Sequence, residues 1–348
     1  MIGLDAVLNV VWTIVKTVLM LGVMIFFHEL GHFITAKLSG IKVNEFALGM
    51  GPKIFGKKKG DTQYSLRLLP VGGFVAMEGE DAESDDENSY MKKPKWKRAI
   101  VLVAGATMNI ILGLIILGGL TCSSELIGTR VIAGFKEGAT SNAVLQQNDE
   151  IKKINGHRVG IDNDIVFELV RDEDGMVDFT VVHDGETIEL KEVPFQMTTA
   201  EDGTRAITLD FSVYGEEKSF FGVVKHAFAW TGSVIKTVWV SLVELITGKY
   251  SISELSGPVG VATAVSQASS YGWDSLFLLV AYITINLGVF NLLPFPALDG
   301  GKLALLVVEL IRGKPLDPKY EGYINLAGLA VLFGLMIVVT VSDVIKLF

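Results

Sequence analysis

The residues with the clearest capacity for chemistry lie in FFHELGHFITAKLSG, residues 26 to 40, where His28, Glu29 and His32 form an H-E-x-x-H pattern. On a helix, residues four apart share a face, so both imidazoles can bind one metal ion. Glu29 then stands close enough to a metal-bound water to take its proton. Zinc in such a site lowers the pKa of bound water toward about 7 and polarises a scissile carbonyl. Two ligands are too few, because a catalytic zinc needs a third protein ligand and one open position. The pattern also closes an apolar run, where ionisable groups are costly and mark function by default.

The missing ligand should be another ionisable residue at the end of an apolar block. NLLPFPALDGG, residues 291 to 301, supplies one, with Asp299 its first charge. Pro294 and Pro296 lack backbone N–H groups and break a helical ladder, and Gly300 and Gly301 permit close backbone approach. A broken helix at membrane depth is tolerated where it lines a wet cavity, which hydrolysis requires. The alternative is a helix that ends at the surface with a Pro-rich turn and an Asp cap.

Four apolar blocks must position these groups. They are 6–27, with one charge at Lys16, and 99–120, 275–298 and 324–341, with none. Each is near the roughly 20 residues that a membrane-crossing helix needs. The 348 residues are 50% hydrophobic and 20% charged, with mean hydropathy +0.45, more apolar than a soluble chain of this length. The first block lacks the basic flank and small-residue cleavage site of a signal peptide. The one cysteine, Cys122, excludes an internal disulfide and a thiolate zinc cage. A net charge of −9 argues against nucleic acid as a partner. Lys57, Lys58, Lys59 and KKPKWKR (92–98) sit between blocks one and two, and Arg312, Lys314 and Lys319 precede block four. These connections are therefore expected on the cytoplasmic side, with the acidic segment 123–219 and both termini outside.

Between the blocks, TQYSLRLLPVGGFVAMEGE (62–80) alternates polar and apolar residues about Gly72 and Gly73. It reads as a hairpin-like element, apolar enough to dip into the membrane. EDAESDDENS (80–89) reads as a solvated, disordered linker. The outer segment reads as a small α+β domain: a strand at GTRVIAGF, then a short helix, a strand and a tight turn at Asn155-Gly156. Two further strands flank Asp184-Gly185. From roughly Gly128 to Phe211 it resembles a bacterial PDZ domain, in one copy. Residues 219–247 are apolar but interrupted by Lys225, His226 and Lys236, which suits a helix lying on the outer membrane face. A fifth crossing is the alternative.

Together, HExxH on the first membrane helix and N-x-x-P-x-P-x-L-D-G on the third resemble the site-2 protease family of intramembrane zinc metalloproteases. GGFVAMEGE resembles the family's membrane-associated β element, RAIVLVAGATMN its second-helix signature and LSGPVGVA (255–262) the segment before its third helix. With a PDZ domain between helices two and three, the likeness is to the RseP-type branch and covers nearly the whole chain. Ala106 stands where the second-helix signature has Pro, leaving that helix less kinked.

The resemblance implies a polytopic α-helical membrane protein with four transmembrane helices, a membrane-associated β element and one inserted α+β PDZ domain. The expected divisions are 1–127 for helices one and two, 128–212 for the PDZ domain, 213–274 for the surface helix and linker, and 275–348 for helices three and four. It implies one Zn2+ per chain on His28, His32 and Asp299, with Glu29 as general base. Asn291, Pro294 and Asn109 match positions that seat substrate. Gly72, Gly73, Phe74 and Val75, within the element from Leu68 to Met77, would accept an unwound substrate as an added strand. Expected partners are the lipid bilayer and single-pass membrane proteins already shortened by another protease, such as anti-sigma factors in envelope stress signalling and remnant signal peptides. The PDZ domain would exclude intact outer domains or read a new C-terminus at Gly128 to Val131. The expected location is the bacterial cell (inner) membrane, with the active site near its cytoplasmic side. The rivals are a non-enzymatic PDZ scaffold, which predicts loss of an active-site residue, and a metal transporter, which predicts polar residues along the other helices.

Overall fold

The computed structural model describes residues 4–80, 82, 84–172, 174–199, 205–248, 255–314 and 316–346. In chain order the elements are α1 (Leu4–Leu38), β1 (Val43–Lys59), β2 (Thr62–Met77), α2 (Lys95–Ser123), β3 (Ile127–Phe135), β4 (Glu150–Ile154), β5 (His157–Arg158), α3 (Asp162–Val170), β6 (Met176–His183), β7 (Glu186–Pro194), β8 (Met197–Thr199), β9 (Arg205–Ile207) and β10 (Phe211–Glu216). The helices α4 (Phe220–Ile246), α5 (Pro258–Tyr271), α6 (Trp273–Asn291), α7 (Asp299–Arg312) and α8 (Pro318–Lys346) complete the chain. Two compact units form, residues 1–116 with 237–348, and residues 117–236.

In the first unit, helices approach to backbone contact through glycine. A Cβ on Gly31 of α1 would lie 2.4 Å from the Ala104 carbonyl oxygen of α2. One on Gly113 of α2 would lie 2.3 Å from Ile285 of α6, and one on Gly288 of α6 would lie 2.8 Å from the Ala106 oxygen. Between apolar helices in lipid, such close packing replaces the hydrophobic drive that water provides elsewhere. Asp343 of α8 accepts the N–H groups of Gly257 and Gly260 at 2.9 and 2.8 Å. It thereby satisfies donors that the first turn of α5 leaves unpaired. This contact gives the SGPVG stretch its role, and α5 itself, packed through Val265 on Met20 and Met24, lies in the region read as linker.

The β element differs from the hairpin expected at Gly72-Gly73. β1 and β2 are long, bent strands that pair along three segments. Phe55, Lys57 and Lys59 face Leu66, Tyr64 and Thr62 in a hairpin. Phe46 and Leu48 have Tyr64 and Leu66 on one side, and Val75 and Gly73 on the other. The sheet order is thus 53–59, 62–69, 43–50, 72–77. Segment 72–77 is an edge, with nothing among the described residues paired on its far side. The bend occurs where Gly72 takes φ 81°, a conformation open to glycine at no steric cost.

The acidic run was expected to be a disordered linker, and its described part is instead tied down. Lys42 pairs with Asp86 at 2.8 Å, Ser84 donates to Glu78 at 2.6 Å, and the backbone N–H of Tyr90 donates to the Glu78 carbonyl at 2.7 Å. The Lys42 hydrogen bond holds the Asp86 carboxyl below the ordinary range. Residues 81 and 83 lie outside the described residues.

The second unit carries a sheet in the order β10-β3-β4-β6-β7, with β5 paired to β4. Its core includes Ile132, Ile151, Ile154, Leu169, Phe179 and Phe211. Asn155-Gly156 and Asp184-Gly185 adopt positive φ at both residues, as the two-residue hairpin turn requires. The helix read near SNA is only a 3-10 turn at Ser141–Ala143. Elements not anticipated include α3, the small β8-β9 sheet and β10. The last continues past 212, the expected domain boundary, and pairs with β3 from Phe135 to Ile127. The Gly128–Val131 strand is therefore not a free edge on that side. On the other side β4 meets it only at Val131, opposite Glu150.

Among the described residues, five helices are long and apolar enough to cross a membrane: α1, α2, α4, α6 and α8. The expected count of four omits α4. Several polar residues of α4 are engaged within the second unit: His226 Nε2 lies 3.3 Å from Asp162, Ser233 donates to Asp164, and Lys236 donates to the Arg158 carbonyl at 2.6 Å. Two of these, His226 and Lys236, are among the residues that interrupt its hydrophobicity.

Candidate metal centre

HExxH lies in the C-terminal half of α1, and helical spacing brings His28 and His32 to one side. Their Nε2 atoms are 3.2 Å apart. Asp299, the first residue of α7, places Oδ2 at 3.1 Å from His28 Nε2 and 3.2 Å from His32 Nε2. The three atoms make a nearly equilateral triangle. Ligands held roughly 2.0–2.1 Å from a tetrahedral zinc stand about 3.3 Å apart, so the triangle has the dimensions of a zinc face. Asp299 Oδ2 is buried and accepts no hydrogen bond, which suits an atom reserved for a cation. These are the only three described His, Cys, Asp or Glu residues so arranged.

The surroundings leave room for an ion and fix its frame. A Cβ on Gly105 of α2 would lie 2.3 Å from His32 Nε2 and 2.8 Å from His28 Nε2, so glycine keeps that side open. His32 Nδ1 lies 2.8 Å from the Val101 carbonyl oxygen, which orients the ring. Asn109 Nδ2 lies 3.4 Å from His28 Nδ1.

Asp299 is delivered by a true break between helices. α6 stops at Asn291, and a compact link of residues 292–298 leads into α7. Ala297 takes φ 72° in that link, a left-handed conformation that costs a non-glycine residue of order 1–3 kcal/mol. Its N–H donates to Asn325 Oδ1 of α8 at 3.3 Å. Gly300 and Gly301 admit the link itself, since their Cβ atoms would lie 2.3 and 2.2 Å from the carbonyl oxygens of Leu293 and Phe295. A Cβ on Gly328 of α8 would likewise lie 2.5 Å from Pro296. Asn325 and Gly328 were missed in the sequence, where the only signal was one amide at the start of an apolar block.

The other expected site residues divide. Gly73 lies beside the metal-facing helix, its Cβ position 3.0 Å from Glu29 Cγ, so the edge strand containing Phe74 and Val75 runs past Glu29. Asn291 is half-buried at the end of α6, and Pro294 is exposed in the link. Asn109 is 1% exposed. One turn beyond Asp299, Lys302 pairs with Glu80 at 2.7 Å. Both line a polar cavity of about 180 Å³ with Arg98, Glu309 and Asn325. Gly105→Ala should push both imidazoles off the triangle and cut bound zinc at least about tenfold, with α-helical content retained. Full zinc occupancy in that variant, measured by atomic absorption, would show that the space is not needed.

The pattern that defines peptidase family M50 matches residues 16–335. A candidate zinc metalloprotease of Clostridium perfringens is 37% identical over 95% of this chain and 98% of its own length. The regulator of sigma-W protease RasP of Bacillus subtilis is 31% identical over 97% of this chain and 99% of its own. The zinc metalloprotease RasP of Bacillus licheniformis is similar to the same extent, 31% over 97% and 99%. With its long apolar helices and this triad, the chain is an integral membrane protein of peptidase family M50, a zinc metalloprotease.

Proposed function

We propose that the protein is an intramembrane endopeptidase that cuts single-pass membrane proteins. The observation that carries the reading is the meeting of His28 and His32 with Asp299 at a helix break among apolar helices. In this reading the three side chains hold one Zn2+, which supplies a Lewis acid and an activated water at neutral pH. Glu29 takes the proton from the attacking water and later passes it to the leaving amine. Asn291 and Pro294, at the end of α6 and in the link, border the space where substrate is seated.

A helical substrate hides its carbonyls in the i to i−4 ladder and must unwind before it is cut. The unpaired edge at 72–77 offers backbone partners for the released segment and leads it past Glu29. Residues 128–212 act as a PDZ domain outside the cytoplasm, excluding substrates with intact outer domains or reading a new C-terminus. The basic clusters at 57–59 and 92–98 support a cytoplasmic face for the β element and the metal centre. In this arrangement four helices cross, and α4 lies along the outer surface. Regulated cleavage of an anti-sigma factor is the substrate class most in keeping with a relative named for the regulation of sigma-W.

The direct test uses the detergent-purified protein and a tagged single-pass substrate. Glu29→Gln should lower cleavage by about 10²–10⁴-fold, and a zinc chelator should abolish it in the wild type. Equal cleavage by both proteins would refute the proposed base. For the edge strand, Val75→Pro removes a backbone donor and should reduce cleavage at least about tenfold while zinc content stays the same. Undiminished cleavage would remove strand addition from the account.

A further inference from the structure

The Asn109 side chain poses a problem that substrate binding does not answer. It is buried, and its Oδ1 has no hydrogen-bond partner. An amide acceptor left dry costs about 1–3 kcal/mol, so the orphaned oxygen calls for a donor.

His32 shows what is needed. Its Nδ1 faces the Val101 carbonyl oxygen, which can only accept, so Nδ1 carries the proton and Nε2 is the nitrogen left for a metal. That nitrogen points toward Asp299. His28 turns its own Nε2 to the same point, and a metal there demands the same tautomer, with a proton on Nδ1. The polar group that the structure brings to His28 Nδ1 is the Asn109 carboxamide. The two ends of a carboxamide have the same shape, and a half-turn about Cβ–Cγ puts Oδ1 in place of Nδ2. That one rotation gives the imidazole its acceptor and the oxygen its donor, and leaves Nδ2 in the oxygen's former place.

We infer that Asn109 is the positioning residue for His28, with Oδ1 accepting the Nδ1–H and directing the Nε2 lone pair to the metal. This rests on the reading of His28, His32 and Asp299 as ligands, and it moves Asn109 from the substrate side of the site to the metal side. Without metal the other end of the amide serves, Nδ2–H donating to Nδ1 while Nε2–H faces Asp299. The backbone is held for this task, since Thr284 of α6 donates its hydroxyl to the Asn109 carbonyl at 3.3 Å. Two helices are thereby fixed around one imidazole.

The test is zinc affinity, measured on the full-length protein in detergent by competition with a chromogenic chelator. Asn109→Leu keeps the size of the side chain and removes the acceptor, Asn109→Ala removes the amide without adding bulk, and Asn109→Asp offers acceptors only. The Leu and Ala variants should bind zinc about 10–100-fold more weakly, and the Asp variant within a few-fold of wild type. At saturating zinc, the Michaelis constant of the Ala variant should be unchanged. Wild-type affinity in the Ala variant overturns the inference, and so does a raised Michaelis constant with unaltered affinity. An equal loss in the Asp variant also overturns it. His28→Ala separates the two levels: undiminished zinc binding there refutes the ligand assignment itself.

Discussion

Two imidazoles and a carboxylate gathered among apolar helices are the constraint on which the first unit is built. An isolated charge in that setting is prohibitively expensive, and three unmatched polar groups within 3.2 Å of one another would be no better. A divalent cation held by the three would resolve the conflict, because its charge exceeds that of the carboxylate and it would use the lone pairs directly. The same constraint explains the glycines. The histidines sit on α1 and Asp299 follows the end of α6, and α2 packs close to both α1 and α6. Gly31, Gly105, Gly113 and Gly288 remove the side chains that would hold them apart.

The helix break follows from the same requirement. Had α6 continued through residue 299, its carboxylate would sit wherever the helical phase carried it. The link at 292–298 decouples Asp299 from that phase and starts α7 with the carboxylate already in place. The strained Ala297 and its partner Asn325 are the cost and the support of this arrangement. The curled β sheet ends in segment 72–77, unpaired on its far side among the described residues, with Gly73 beside Glu29. Helices thus hold the two imidazoles and the carboxylate, and a sheet edge lies beside Glu29.

Much of this was legible in the residues, for physical reasons that can be named. HExxH carries its own geometry through the helical repeat, and the Pro-x-Pro before Leu-Asp-Gly announces a break. Asn-Gly and Asp-Gly specify turns locally, and both formed as read. What could not be read was decided by tertiary partners. The β element looked like one hairpin because alternation does not reveal that Phe46 is flanked on both sides. The acidic run looked disordered because composition does not show that Lys42 and Ser84 close a network around it. α5 depends on a cap from Asp343, far along the chain, and β10 extends a sheet that the domain boundary would have cut. α4 meets the length and composition of a membrane span, and several of its polar residues are engaged within the second unit, which the sequence does not show.

The central claim is that one zinc ion is held by two imidazoles and a carboxylate from opposite ends of the chain. Zinc K-edge X-ray absorption on the purified protein tests it most directly. The account predicts two imidazole nitrogens and light oxygen donors at about 2.0–2.1 Å, with one imidazole lost in His32→Ala. Sulfur scattering at about 2.3 Å, or a spectrum unchanged in both His32→Ala and Asp299→Ala, would contradict it.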